Sequence, residues 1–377
     1  MKPRDTALLN RAFAEADKAE WLWTAPNPRV GALALHQGHV VGHGYHRRFA
    51  QAHAEEAALQ DAGAIQDGVA LAGHVDEIVV SLEPCSARDG AKKRRPCVQW
   101  LLEAEVKRVV VGALDPDPRH AGKGLEQLRS AGVEVICSEQ QQRFECQNPA
   151  FLAALAQPKR PWILLKWAAT FDGRSAAANG VSQWITGPRA RQEVHGLRAV
   201  SHGVMAGKTT VILDNPQLTA RSDEGNSNPQ LSRVLVGAAA SINADCALLQ
   251  DDNPRIWIES DLQTLPSWAT SADHLLLAPR NNQGQLQLAD AMQSLLEDFR
   301  INRLLVEGGA QLHGSLLAAG LADAIVRYEA PILLGGGLGC VAGEGVDHPQ
   351  NAWRLFEEER CQLDQDLRRA FLIETGQ

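Results

Sequence analysis

Three residues able to bind a soft metal, His53, Cys85 and Cys97, are spread over 45 positions of this chain, and a carboxylate, Glu55, stands two residues beyond the imidazole. Their settings are Gln51-Ala52-His53-Ala54-Glu55-Glu56, Glu83-Pro84-Cys85 and Arg95-Pro96-Cys97. One imidazole and two thiolates fill three positions of a tetrahedral zinc ion and leave the fourth for water. An open position separates a catalytic zinc from a structural one, because the metal then lowers the pKa of its water toward neutrality. Glu55 is placed to shuttle the proton, which is hydrolytic chemistry. To close such a site the chain must return three times to one point, a demand that restricts its folding more than any other stretch does.

The order His-x-Glu, Pro-Cys, Cys is that of zinc deaminases acting on nucleobases. Such enzymes usually carry Cys-x-x-Cys, whereas eleven residues, Ser86 to Pro96, separate the two cysteines here. Asp89-Gly90 supplies a turn and Lys92-Lys93-Arg94-Arg95 a solvated arm, so Cys97 returns at the head of a helix predicted over 96–105. Two alternatives stay open on the residues alone. The three ligands are unrelated, two of them ordinary buried thiols, or the zinc is structural and takes a fourth ligand such as His43 or His120.

At 377 residues, 45% of them apolar and 22% charged, the chain has the composition of an ordinary soluble protein of two or three domains. A net charge of -8 argues against broad affinity for nucleic acid and favours a small polar substrate. The longest apolar runs are too short to span a bilayer, and Met1-Lys2-Pro3-Arg4-Asp5 opens no secretory signal, so a cytoplasmic address is expected. Seven cysteines, an odd number without a secretion signal, point to reduced thiols rather than disulfides.

The first half alternates. Apolar spacing predicts a helix over 5–18, then two strands over 30–35 and 40–45 joined by the turn Gln37-Gly38-His39. A helix over 53–59 carries His53 and Glu55 on its first turn, where its dipole favours anions. The β-branched run 76–82 reads as a strand covered on both faces that ends at Glu83-Pro84-Cys85. Helix 96–105, strand 106–112, helix 124–131 and strand 133–137 complete a three-layer α/β/α domain with its ligand beyond the strand ends. Two short helical pieces, 139–146 and 149–156, lead out of it. Asn27, held between Pro26 and Pro28, is either part of a rigid turn or a group whose amide pairs with the edge of a heterocycle. The loop His120–Gly124 is either a plain connection or part of the pocket rim.

Gln157-Pro158-Lys159-Arg160-Pro161 suits a domain junction, which divides the chain into expected domains 1–150 and 160–377. Beyond it come a strand over 162–167, a turn at Asp172-Gly173 and a helix over 188–200 capped by Thr186 or Gly187. The strand 204–206 runs into Gly207-Lys208-Thr209-Thr210, and the strand 303–306 into Glu307-Gly308-Gly309-Ala310. Each is a strand-to-helix turn able to hold a phosphate or simply to pack closely, and neither matches a dinucleotide or P-loop fingerprint. Residues 238–249 and 280–287 show little periodicity, and 335–339 reads as a flexible glycine loop. The stretch 353–366 is charged, and 367–373 reads as a closing strand.

Pro26-Asn27-Pro28-Arg29-Val30-Gly31, His53-Ala54-Glu55, Glu83-Pro84-Cys85, Asp115-Pro116-Asp117-Pro118 and Ala121-Gly122-Lys123-Gly124 together resemble the bifunctional riboflavin biosynthesis family, a pyrimidine deaminase fused to a reductase. Further stretches are similar, in order, to its reductase half: Lys166-Trp167-Ala168, Asp172-Gly173-Arg174, Ser182-Gln183-Trp184-Ile185-Thr186, Leu197-Arg198-Ala199, Asp214–Arg221, Val306-Glu307-Gly308-Gly309 and Ala330–Gly335. The resemblance implies a cytidine-deaminase-like domain and a dihydrofolate-reductase-like α/β domain. It implies zinc on His53, Cys85 and Cys97, with Glu55 catalytic, for deamination of a phosphoribosylated diaminopyrimidine. NADPH then reduces the ribosyl unit to ribityl. On matching positions Ala168, Trp184, Thr210, Asp214 and Gly309 contact NADPH. Asn27 faces the pyrimidine, and Ser182, Arg198, Leu218, Arg221 and Glu307 contact the substrate of the reductase. A homo-oligomer through the reductase half is an expected assembly.

The chain departs from that family at Ser86-Ala87-Arg88-Asp89, at Lys208 where a small residue is more common, and at Asn215 where a second Asp is usual. A zinc deaminase of nucleosides or bases joined to an unrelated binding domain is the competing reading.

Overall fold

The computed structural model describes residues 1–86, 95–221, 231–282 and 284–374. The expected turn Asp89-Gly90 and the Lys92–Arg94 part of the basic arm lie outside these. The chain divides into two compact units, Met1–Ala156 and Gln157–Gln377.

The first unit is built on a five-stranded sheet in the spatial order His39–Tyr45, Gly31–His36, Glu77–Leu82, Arg108–Ala113, Glu134–Cys137. The first two pairings are antiparallel and the last two parallel. Gln37 (φ +49°) and Gly38 (φ +82°) form the two-residue hairpin turn, whose twist matches that of the flanking strands. Every residue of Glu77–Leu82 is buried, as expected of a central strand covered on both faces. Alternation along the strands sorts the core into two layers. Leu33, Leu35, Val79 and Val110 meet Leu8, Leu9 and Ala12 of the helix Pro3–Ala16. Ala32, Ala34, Ile78, Val80, Val109 and Val111 meet the helices Ala54–Asp61, Cys97–Glu103 and Lys123–Ser130 on the other face. The three-layer α/β/α arrangement follows.

One helix lies unusually close to the sheet. A Cβ on Gly44 would come within 2.2 Å of the Ala54 carbonyl oxygen, and one on Gly42 within 2.3 Å of the Ala58 oxygen. The glycines thus let the backbone of Ala54–Asp61, which carries Glu55, rest directly on the edge strand.

Among its described residues the second unit has a nine-stranded sheet. Its order is Asp273–Leu277, Arg255–Glu259, Ser232–Val236, Gly203–Gly207, Arg303–Gly308, Trp162–Thr170, Ala324–Ala330, Asp366–Ile373, Leu355–Leu363. The first seven run parallel and the last two form an antiparallel hairpin on one edge. Helices Ala289–Glu297 and Ala310–Ala318 cover one face through Met292, Leu295, Leu312 and Leu316. On the other, the helix Lys208–Asp214 packs through Val211. The helix Pro188–Ala199, capped by Gly187, accepts the Tyr328 hydroxyl on Glu193.

Several elements differ from the periodicity. The strand predicted over 162–167 runs on to Thr170, and Glu307 and Gly308 still belong to their strand, so the following helix starts at Ala310. The glycine stretch 335–339 is not merely a loop: Leu338–Gly339 pairs with Arg174–Ala176, and Asp172 accepts the Gly335 and Leu334 amides at 2.8 and 3.2 Å. The aperiodic region 238–249 contains two single 3-10 turns, Ala239–Ser241 and Ala247–Leu249. Charged 353–366 contains the edge strand Leu355–Leu363, whose exposure tolerates its Glu and Arg side chains.

Substituting Gly44→Ala should force the Ala54–Asp61 helix outward and cost about 1–3 kcal/mol of stability. The shift should appear in the first unit's denaturant midpoint; a wild-type midpoint would show that the close contact bears no weight.

Candidate active sites

In the first unit the three expected ligands meet. His53 is the N-cap of the helix Ala54–Asp61, Cys85 follows the central strand Glu77–Leu82, and Cys97 is the first residue of its helix. His53 Nδ1 lies 3.6 Å from Cys85 Sγ and 3.3 Å from Cys97 Sγ, and the three donor atoms fall within 4.8 Å of one another. Ligands at about 2.3 Å for sulfur and 2.0–2.1 Å for nitrogen around a tetrahedral zinc stand about 3.5 Å apart, so the donor set fits that ion. Among the described residues the group has no fourth member. His43 Nδ1 instead faces Glu15 at 3.1 Å, and His120 Nε2 lies 3.9 Å from Asp117.

Three shifts mark the site electrically. Burial pushes the Glu55 carboxyl up to about 7 against the opposing pull of His53. The neighbouring thiol of Cys97 draws Cys85 down, while Cys85 and burial drive Cys97 up. A bound cation would hold both as thiolates.

A cavity of about 210 Å³ opens onto His53, Glu55 and Cys85 and is lined also by Asn27, His46 and Asp115. Asn27 Nδ2 lies 3.4 Å from His46 Nε2, and His46 Nδ1 lies 2.9 Å from the Ala52 oxygen. The amide therefore faces the cavity rather than serving only a turn. The rim loop is tied down by Glu83, whose buried carboxylate accepts the amides of Gly122 at 2.8 Å, Gly124 at 2.9 Å and Asp115 at 3.3 Å. Gly124 has room only as glycine, since its Cβ would sit 2.1 Å from the Pro84 oxygen. Sequence reasoning quoted Glu83 beside the ligand Cys85 without giving it a task. Its signal is a carboxylate at the buried end of a central strand, where it must find donors.

In the second unit some of the expected residues meet near the carboxyl ends of the strands Gly203–Gly207 and Arg303–Gly308. Arg198 grips Glu307 with Nε and Nη2, the latter 2.9 Å from Oε2, and its Nη1 donates to the Thr219 oxygen at 2.9 Å. Lys166 Nζ stands 3.8 Å from Glu307. Burial would raise the Glu307 carboxyl, but Arg198 and Lys166 overcome it and hold the group below the usual range. Burial lowers the Lys166 ammonium, with Glu307 opposing. Lys166 lay within a quoted motif but was not singled out; a lysine inside an apolar strand is the signal.

Thr210 and the glycine turn also meet: a Cβ on Gly308 would lie 2.7 Å from Thr210 Oγ1, and Gly309 (φ +83°) caps the helix Ala310–Ala318. Glycine at 308 thus lets Thr210 pack directly against the turn, where any larger residue would push it away. Ser182 Oγ donates to Asp214 at 3.4 Å, and burial raises the Asp214 carboxyl. Arg221 Nε donates to Thr219 Oγ1 at 3.1 Å, and Leu218 is buried with φ +52°. Ala168 lies in the sheet opposite Tyr328, and Trp184 stands apart, 69% exposed with the Arg191 guanidinium 4.4 Å over its ring. No helix among the described residues is long and apolar enough to cross a membrane.

Comparison with known proteins finds a match for each unit. Residues 2–113 match the family model of the cytidine and deoxycytidylate deaminase zinc-binding region, and residues 161–367 that of the RibD C-terminal domain. Riboflavin biosynthesis protein RibD of Actinobacillus pleuropneumoniae is 34% identical over 370 residues, covering 96% of this chain and 94% of its own. That of Escherichia coli strain K12 is 34% identical over 342 residues, covering 88% and 89%. Among solved structures, Acinetobacter baumannii RibD in its form 1 aligns with a TM-score of 0.71 at 30% identity, covering 98% of this chain and 99% of that one. A diaminohydroxyphosphoribosylaminopyrimidine deaminase/5-amino-6-(5-phosphoribosylamino)uracil reductase from Thermotoga maritima gives 0.67 at 26%, with coverage of 98% and 99%. With the zinc-binding and C-terminal regions matched in order along nearly the whole length, the chain belongs to the RibD family of riboflavin biosynthesis proteins.

Proposed function

We propose that the chain performs two consecutive steps on a phosphoribosylated diaminopyrimidine, hydrolytic loss of a ring amine in the first unit and NADPH-dependent reduction of ribosyl to ribityl in the second. The observation that carries this reading is the His53, Cys85, Cys97 donor set, of which His53 and Cys85 line one cavity together with the buried Glu55. It is supported by the likeness to the Thermotoga maritima protein, a deaminase joined to a reductase.

In the first half, zinc bound to the three ligands supplies the Lewis acidity that makes water nucleophilic near neutral pH. Glu55, poised near 7, takes the proton from that water and later delivers it to the departing ammonia. Asn27 offers a donor and an acceptor to the polar edge of the pyrimidine, and its proximity to His46 orients the amide. Glu83 fixes the rim loop that carries Asp115 and His120 along the cavity.

In the second half, the strand-to-helix turn at Gly308-Gly309, against which Thr210 packs, suits the diphosphate of NADPH, with Ala168, Trp184 and Asp214 as further contacts. NADPH supplies the hydride for the sugar carbon. Opening the ribosyl ring breaks the bond from that carbon to the ring oxygen, which then needs a proton. Lys166, beside Glu307, is the group that supplies it. Arg198 is paired with the Glu307 carboxylate, whereas the bonds of Arg221 go to the neutral oxygens of Thr219 and Gln217, so the substrate phosphate falls to Arg221, with Ser182 and Leu218 beside it.

Three measurements test the reading on the full chain. Wild-type protein should carry about one zinc per chain, and Cys97→Ser should lose most of it by elemental analysis. Glu55→Gln should keep its zinc but release ammonia at least about 100-fold more slowly. Its NADPH oxidation should return when the deaminated compound is supplied. Arg221→Ala should raise the KM for that compound about tenfold while sparing kcat, the mark of a lost binding contact. Ammonia release unaffected by Glu55→Gln, or an unaltered KM in Arg221→Ala, would overturn the corresponding assignment.

A further inference from the structure

The helix Pro188–Ala199 directs two side chains, one turn apart, at a single backbone oxygen. Arg198 Nη1 donates to the Thr219 carbonyl at 2.9 Å, and His195 Nδ1 lies 3.0 Å from the same oxygen. A carbonyl only accepts, so this contact requires the imidazole proton on Nδ1. The Arg221 amide also approaches Nδ1, at 3.3 Å. One nitrogen cannot donate to the first and accept from the second, and the shorter contact decides the tautomer.

The segment so gripped needs an external hold. Leu218 sits in the left-handed region at φ +52°, which a side chain branched at Cγ enters at a cost. Three residues on, Arg221 leaves the segment with its Nε on Thr219 Oγ1. Arg198 alone is a divided anchor, because its Nε and Nη2 are committed to Glu307. Burial lowers the imidazole pKa, Arg198 and Arg221 act in the same sense, and the Thr219 carbonyl and Glu307 oppose.

We infer that His195 is a positioning residue for the reduction step: by sharing the Thr219 carbonyl with Arg198 it holds Leu218–Arg221 in the shape that presents Arg221 to the anionic end of the substrate. This rests on the assignment of Arg221 to the substrate made above. His195 itself needs no contact with the reacting atoms, and the imidazole is used for a donor at one fixed position, which an Asn side chain can also supply.

The test is steady-state kinetics of the full chain with the deaminated substrate and NADPH, using His195→Ala, His195→Gln and His195→Asn beside Arg221→Ala. Loss of the Nδ1 donor should raise the KM for the sugar phosphate about five- to tenfold in the Ala and Gln variants. The KM for NADPH and the rate of ammonia release should stay at wild-type values. His195→Asn, whose amide nitrogen can occupy the Nδ1 position, should recover to within about twofold. A normal KM in His195→Ala beside a raised one in Arg221→Ala overturns the inference, as does an Asn variant no better than Ala. A normal KM in Arg221→Ala removes the substrate assignment on which the inference stands.

Discussion

Both halves are organised by a carboxylate that folding takes out of water at the carboxyl end of a parallel strand. Such a group is costly to bury unless every lone pair finds a donor, so its neighbours are arranged around that demand. Glu83 meets it with three backbone amides from the loop Asp115–Gly124. Glu307 meets it with the fork of Arg198 and the ammonium of Lys166. In each case satisfying the carboxylate fixes the segment that borders a site. The rim of the cavity beside His53, Glu55 and Cys85 is held in one half, and the polar cluster of Arg198, Lys166 and Glu307 in the other.

Two buried glutamates of the first unit show how environment divides tasks. Glu83 is saturated by amides and ties down structure. Glu55 is equally withdrawn from solvent, yet its carboxyl titrates near 7 because burial dominates its surroundings. The same withdrawal from water thus leaves the Glu55 carboxyl pushed up to about 7, while Glu83 is given over to holding the loop. The helix that carries Glu55 reaches its position only because Gly42 and Gly44 let it settle on the edge strand.

Sequence patterns were most legible where chemistry or burial was unambiguous. The His-x-Glu pair with two Pro-Cys steps named the residues that now lie within reach of one ion, and the run ending at Leu82 announced a doubly covered strand. The strands Ser232–Val236, Arg255–Glu259 and Asp273–Leu277 went unrecognised for a specific reason. Arg233, Arg255 and Asp273 interrupt their apolar pattern, yet Arg233 and Arg255 are buried, Arg233 pairing with Asp251 and Arg255 with Asp273. A charge in a strand reads as exposure until its partner, 18 residues away in each pair, is known.

By itself the sequence determined the α/β class of both units, the metal-binding donor set and the glycine turns, because residue type and local spacing encode these. Only the tertiary structure decided that Glu83 would lock a rim loop 39 to 41 residues away, and that Arg198 would be spent on Glu307 across 109 residues. The same holds for the Thr219 carbonyl, gathered by two side chains from another element. The physical reason is the same throughout. A polar group's task depends on which donors and acceptors remain beside it once water is removed, and chain neighbours supply few of them.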